Sequence, residues 1–297
     1  MKPVAATVGT FDGVHRGHRL VLDTLLDTVR ESGADPVVFT FDRHPLTLIA
    51  PQRAPKRIMP VEDERRMLQQ YGVRVVTLRF DDKLRSMTAA QWLRSLRDNY
   101  GVKIMVMGYD NTFGCDGRML SPDDYLRIAS EEGIEMNVAP QLEAISSSTI
   151  RRAITSGDIS AANAALGRPF ALSGEIINGQ ALGRKIGFPT ANLCPGPDII
   201  IPQRGVYAAL ALTDDNQRIP AVVNIGIRPT VSDSGHISIE AHLIDWKGDL
   251  YNRTISLLFI DRIRDEIHFP DIADLKNQIA IDTQTAEAIL RDYLSRH

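Results

Sequence analysis

The spacing of apolar residues changes character once along this chain, near residue 167, and that change limits the folds open to it. Before it, short apolar runs at 4–8, 37–41, 73–78, 104–107 and 134–138 alternate with helical patterns. Leu20, Val21, Leu25, Leu26 and Val29 recur at helical spacing, and further helices are expected near 62–71, 89–99 and 122–131. The last opens with Ser121 as N-cap and Pro122 at the first helical position. Strand–helix alternation of this kind predicts an α/β domain: a parallel sheet, Rossmann-like, with helices on both faces. After residue 167, strand candidates follow one another directly, at 172–177, 206–212, 221–225, 237–244 and 254–263. Turn signals such as Asn178-Gly179 and Arg228-Pro229-Thr230 separate them, which predicts an all-β barrel or sandwich. A helical pattern at 272–294 closes the chain. The join, 150–166, is an alanine-rich helical stretch stopped by Gly167 with Pro169 just beyond. Two domains are therefore expected, 1–166 and 167–297.

Composition narrows the setting. With 297 residues, each half is large enough for its own core. No run of 18 apolar residues predicts a membrane helix, and Gly9 and Asp12 come too early for a signal peptide. Cys115 and Cys194 fit no metal-ligand spacing and no disulfide framework, so a cytoplasmic protein is expected. A net charge of -3 argues against non-specific nucleic-acid binding but leaves small anions open.

Two segments carry phosphate-handling chemistry. The first runs from Gly9, Thr10, Phe11 and Asp12 through Gly13-Val14-His15-Arg16-Gly17-His18, between the first strand and the first helix. A Gly-rich turn there aims backbone N–H groups and a helix N-terminus at an anion. The turn lacks the lysine of a P-loop and supplies His15 and His18 instead, three residues apart, so both imidazoles can face a phosphate. Gly17 between them lets a nucleotide approach the backbone. With no nucleophile or acid–base pair evident, the pattern suits nucleotidyl transfer, which needs alignment and charge stabilisation. The second segment is Gly183-Arg184-Lys185-Ile186-Gly187-Phe188-Pro189-Thr190-Ala191-Asn192. Its Thr190 hydroxyl and Asn192 carbonyl are hard oxygen ligands two residues apart. Mg²⁺ favours such a sparse protein set completed by phosphates and water.

The first segment resembles the HIGH-type motif of nucleotidylyltransferases, in the wording found in bacterial bifunctional riboflavin kinase/FAD synthetases. Further landmarks of that family recur in order: Thr40-Phe41-Asp42-Arg43-His44-Pro45, then Gly108-Tyr109-Asp110-Asn111-Thr112-Phe113-Gly114, then Ser146-Ser147-Ser148-Thr149-Ile150-Arg151. Asn111 stands where the family often has an aromatic, and Ser148 where it has Thr. The second segment resembles the Pro-Thr-Ala-Asn motif of riboflavin kinases. It is followed by Gly205-Val206-Tyr207-Ala208, Asn224-Ile225-Gly226, Glu240-Ala241-His242, Asp249-Leu250-Tyr251 and Ile263-Arg264-Asp265-Glu266-Ile267-His268-Phe269. Asn252 stands where the family has Gly, and Asn too tolerates a left-handed turn.

The resemblance spans nearly the whole chain and implies two steps. A C-terminal antiparallel riboflavin-kinase β-barrel would phosphorylate riboflavin with ATP to FMN. The N-terminal domain would adenylylate FMN with a second ATP, giving FAD and pyrophosphate. For the first domain it implies ATP contacts from the 9–18 turn and from Ser146, Ser147 and Ser148, catalytic roles for His15, His18 and Arg151, and flavin contacts from His44 and Asp110. For the second it implies ATP contacts from Gly183, Lys185, Gly187 and Pro189, and Mg²⁺ on Thr190 and Asn192. Glu240 would be the general base, with flavin contacts from Arg264, Glu266 and Phe269. Two other readings stay open: a nucleotidylyltransferase for another phosphorylated cofactor precursor, and a non-catalytic flavin-nucleotide sensor. A lone transferase has no need of the Pro-Thr-Ala-Asn barrel, and a sensor no need of Thr190, Asn192 and Glu240 together.

Overall fold

In the computed structural model, β1 (Val4–Val8) buries all five side chains, as a central strand covered on both faces must. The structure describes residues 2–109, 111–142, 145–178, 187–228, 236–248 and 250–296. It divides into two compact units, Met1–Ser147 and Ser148–His297.

In the first unit β1 pairs in parallel with β2 (Asp35–Phe41) and with β4 (Val102–Met107). β3 (Arg74–Leu78) and β5 (Glu135–Val138) flank them, giving the order β3-β2-β1-β4-β5. The strand period of two sorts the core into two layers. Val4, Ala6 and Val8 pack with Trp92 and Leu93 of α5 (Ala89–Tyr100) and Tyr125 of α6 (Pro122–Glu131). Ala5 packs on the other face with Leu22 and Leu25 of α1 (Arg16–Ser32) and Leu68 of α3 (Val61–Gln69). Short helices α2 (Leu46–Ile49) and α4 (Asp82–Ser86) complete the layer set. The chain leaves β1 toward β2 and later returns to β4 on β1's other side. The strand order therefore switches between β1 and β4, and in sheets of this kind ligands bind at the C-terminal ends of the strands beside such a switch point.

The second unit is a closed barrel of antiparallel pairs in the order β10-β7-β6-β11-β8-β9. Its strands are β6 (Phe170–Ile177), β7 (Ala191–Pro195), β8 (Gly205–Leu212), β9 (Arg218–Arg228), β10 (His236–Leu243) and β11 (Thr254–Arg264). Closure settles barrel over sandwich and leaves no open edge. β7 was not among the expected strands: it is short, and Asn192, Cys194 and Pro195 hide it from any periodicity test. The closing helix, α9 (Ile272–Arg296), packs Ala286 and Leu290 against Val206, Ala208 and Leu210.

The join is two helices rather than one, α7 (Ser147–Thr155) and α8 (Ile159–Leu166). Gly157 breaks it at φ 79°, where a Cβ would come within 2.8 Å of Arg262 and Gln203. Asp158 then caps α8 by accepting from Ala161 N–H. Asn163 binds α8 to the barrel: its amide donates to the Phe259 carbonyl at 2.9 Å and its oxygen accepts from Phe170 N–H at 2.7 Å. These bonds group the join with the β-strands. Among the described residues no helix is long and apolar enough to cross a membrane.

Candidate active sites

The 9–18 turn lies at the switch point of the sheet. Gly9 N–H donates to Phe39 carbonyl, so the chain leaves β1 still tied to β2 before Thr10 begins the turn. Phe11 and Val14 then take left-handed φ values of 42° and 37°, with Gly13 at 88° between them. For a β-branched residue such a φ is a genuine outlier, costing on the order of 1–3 kcal/mol. The turn persists because something outside it holds it. Asp12, 1% exposed, accepts from Ile58 N–H at 3.0 Å and 3.1 Å and from Met59 N–H at 3.4 Å. Hydrogen bonds to a charged group contribute about 1.5–3 kcal/mol each, enough to offset the strain. The Asp12 side chain thus serves the architecture of the turn.

His15 is the N-cap of α1, and its Nδ1 accepts from His18 N–H at 3.3 Å. That lone pair is engaged, so neutral His15 carries its proton on Nε2. The two imidazoles stack, centroids 3.6 Å apart at 21°, and Phe11 tilts against His18 at 5.1 Å. Gly17 fits here for a reason the sequence did not display: a Cβ would press on the His15 ring at 3.2 Å. The first turn of α1 has no acidic residue, which keeps the helix N-terminus favourable to anions. Ser147 Oγ, at the end of the first unit, donates to the Asp12 carbonyl at 3.0 Å. Ser146 precedes that helix, and Ser148 and Arg151 follow on it, within the second unit.

Other expected residues of this site divide by role. His44 Nδ1 accepts from Leu46 N–H at 3.1 Å, organising the entry to α2. Asp110 lies outside the described residues. Its neighbour Asn111 donates through Nδ2 to the Val8 carbonyl at 2.6 Å, linking the loop after β4 to the end of β1. Phe113 and Gly114 of that motif serve the packing of the fold. Tyr125 hydroxyl accepts from Phe113 N–H and donates to Phe113 carbonyl, and a Cβ on Gly114 would strike Ala89 N at 2.5 Å.

Beneath the turn lies a buried charged cluster absent from the sequence reading. Arg57 pairs with Glu64 and stands 4.0 Å from Asp12, while Thr40 hydroxyl donates to Glu64 Oε1 at 3.0 Å. Burial raises the Glu64 carboxyl to about 7, against the pull of Arg57, with Asp12 pushing the same way as burial. Its only sequence signal is Thr40, at the head of the Thr-Phe-Asp-Arg-His-Pro run.

In the barrel, Glu240 of β10 stands opposite Asn192 of β7 and Asn224 of β9. Directly paired residues project on the same face of a sheet, so the three side chains converge. Thr190, just before β7, donates to Glu240 Oε2 at 3.5 Å. The Pro189 carbonyl accepts from His242 Nδ1 at 2.9 Å, and Phe188 meets the His242 ring edge-on at 5.3 Å. Gly187 supplies a φ of 91° to start the turn; Gly183 and Lys185 lie outside the described residues. Asn252 takes the left-handed φ of 59° expected of it.

Thr190 is shared by two cavities. One, of about 250 Å³, is lined by Phe188, Asn224, Glu240, Glu266 and Phe269 with the α9 residues Leu275 and Ile279. The other, of about 540 Å³, is lined by Pro189, Trp246, Lys247 and Tyr251. Gly226 makes room for the Glu266 carboxylate, which would contact any Cβ there. Arg264 borders the smaller cavity, yet its guanidinium is committed: Nε and Nη2 donate to Asp282 of α9 at 2.9 Å and 2.6 Å, and Nη1 to the Asp265 carbonyl. Gln278 also donates to Asp282. Asp282, a buried acid on a helix, carried no sequence signal. Among the described residues no group of three His, Cys, Asp or Glu could hold a metal. Thr190 and Asn192 beside Glu240 do offer hard oxygens of the type Mg²⁺ shares with phosphates.

Two family models match the chain, one in each half. The FAD synthetase family model matches residues 1–152, and the riboflavin kinase model matches residues 166–290. A bifunctional riboflavin kinase/FMN adenylyltransferase of Pseudomonas fluorescens is 36% identical, covering 96% of this chain and 92% of its own. Those of Escherichia coli K12 and Bacillus subtilis are 37% and 35% identical, each covering 94% of this chain and 90% of its own. A crystal structure described as a macrolide-efflux protein from Streptococcus pneumoniae superposes with a TM-score of 0.88 at 28% identity, covering 96% of this chain and 94% of that one.

Proposed function

The chain belongs to the bifunctional riboflavin kinase/FMN adenylyltransferase family, and we propose that its second unit makes FMN at Glu240 while its first makes FAD at the His15–His18 turn. The observation that carries this is the placement of Thr190: it borders both cavities and hydrogen-bonds Glu240, which lines the smaller one.

In the kinase step, riboflavin occupies the smaller cavity against Phe188 and Phe269, and ATP the larger one beside Trp246 and Lys247. Glu240 takes the proton of the ribityl 5′-hydroxyl as its oxygen attacks the γ-phosphorus, and ADP leaves. Thr190 and Asn192 would hold Mg²⁺, which when bound neutralises charge on the phosphate oxygens. His242 keeps the Pro189 carbonyl, and so the Thr190 turn, in place.

In the adenylyl-transfer step, an FMN phosphate oxygen attacks the α-phosphorus of ATP and pyrophosphate leaves. No proton need be removed from the attacking group. The work falls on charge stabilisation by His18, His15 Nε2–H and the α1 N-terminus.

Two variants separate the activities. Glu240→Ala stops FMN formation from riboflavin while FMN is still converted to FAD, and His18→Ala does the reverse, both followed by chromatography of the flavins. Equal loss of both activities in both variants contradicts the two-site assignment. Adenylylation of a different phosphorylated precursor, with FMN untouched, would favour the other nucleotidylyltransferase reading.

A further inference from the structure

The strained turn is held from beneath by the 57–59 segment. Asp12 sits between the two left-handed residues Phe11 and Val14, and its carboxylate is bound by the N–H groups of Ile58 and Met59. Ile58 also crowds Gly13 from below, 3.1 Å from where a Cβ would stand. The position of the turn therefore follows the position of the 57–59 segment. That segment has its own anchor. Arg57 donates through Nε to the Met59 carbonyl at 3.1 Å and pairs with Glu64 on α3, and Glu64 accepts from Thr40 at the end of β2. Asp12 and Glu64 are each 1% exposed and Thr40 is 2% exposed, so water cannot replace a lost member. Four pieces of chain meet in this cluster: the turn, the 57–59 segment, α3 and β2.

We propose that Arg57 and Glu64 are positioning residues for adenylyl transfer, acting through Asp12 to set the His15–His18 pair against the α-phosphate. The inference rests on the assignment of FAD formation to this turn. The geometry explains why a buried acid is kept at a site where a neutral residue would be easier to bury. Glu64 completes a guanidinium clamp whose far end is Asp12, and a displacement of the turn of about 1 Å is enough to cost roughly 100-fold in rate.

The test uses the full chain as wild type, Glu64→Gln, Arg57→Lys, Asp12→Asn and the Glu64→Gln/Asp12→Asn double variant. FMN-to-FAD and riboflavin-to-FMN rates are measured on each preparation, with thermal melting alongside. The expected result is a kcat for FAD formation lowered about 10- to 100-fold in Glu64→Gln, with KM for ATP changed less and kinase rate retained. Arg57→Lys shows the same pattern at smaller size. In the double variant the losses fall short of multiplying, because the two residues act as one unit. Wild-type rates in both Glu64→Gln and Arg57→Lys, or losses that multiply in the double variant, overturn the proposal. Should Glu64→Gln lose cooperative melting, Arg57→Lys decides by the same criteria. A wild-type chain that forms no FAD at all would instead defeat the assignment on which the proposal rests.

Discussion

Glu64 makes the stability of the first unit depend on pH in a direction opposite to that of an ordinary salt-bridged acid. Its carboxyl is raised from 4.5 to about 7, first by burial. The unfolded chain loses this proton near pH 4.5, whereas the folded chain keeps it to about pH 7. Between those values the folded state binds more protons, so stability falls as pH rises. At 1.36 kcal/mol per unit, a shift of this size removes about 3 kcal/mol, all present below pH 4.5 and gone above pH 7. Glu64→Gln carries no such proton in either state. The difference in unfolding free energy, wild type minus Glu64→Gln, should therefore drop by about 3 kcal/mol between pH 4.5 and pH 8. The chain's two tryptophans allow the unit to be watched alone: in a Trp246→Phe background only Trp92 emits, and it is buried in the first core. Urea unfolding followed by Trp92 fluorescence across that range gives the difference directly. Taking the difference cancels the other acids. Asp98, Asp124 and Glu132 are lowered by hydrogen bonds from Arg97, Ser121 and Arg94 respectively, and they titrate alike in both proteins. Parallel pH curves for wild type and Glu64→Gln, with no change in their separation, would refute the reasoning.

Two further outcomes follow from the barrel. Asp282→Ala strips the partner from the Arg264 guanidinium and unpins α9, the wall of the smaller cavity; denaturation should show a loss of about 3–5 kcal/mol in the second unit, with KM for riboflavin raised. Thr190→Val removes the hydroxyl shared by both cavities at nearly constant volume, so riboflavin phosphorylation should fall at least about 100-fold while FMN adenylylation in the same tube is unchanged.

How much of this was legible in the sequence depended on whether a residue's reason is local. β1 begins and ends as its apolar run does, since a central parallel strand is apolar on both faces. Ser121 and Gly167 mark helix ends because capping is a short-range matter. β7 escaped because it exists by pairing with β6 and β10, not by its own composition. The single helix expected at 150–166 broke at Gly157, where packing against Arg262 and Gln203 demands a residue without a side chain. The site showed the same divide. Glu240 and Asn192 face each other across paired strands and Thr190 reaches Glu240, a convergence that strand pairing brings about. Asp12 and Arg264 stand at their motif positions, but their side chains hold the fold, paired with partners 46 and 18 residues away. Glu64 and Asp282 are acids whose meaning lies in burial and in a facing arginine, neither of which a sequence displays.

The central claim is that one chain carries two independent active sites joined only by a shared flavin. Mixing Glu240→Ala with His18→Ala and supplying riboflavin, ATP and Mg²⁺ tests it most directly. Glu240→Ala alone should leave riboflavin unchanged, His18→Ala alone should stop at FMN, and the mixture should proceed to FAD. FAD from either variant alone, or no FAD from the mixture, would contradict it.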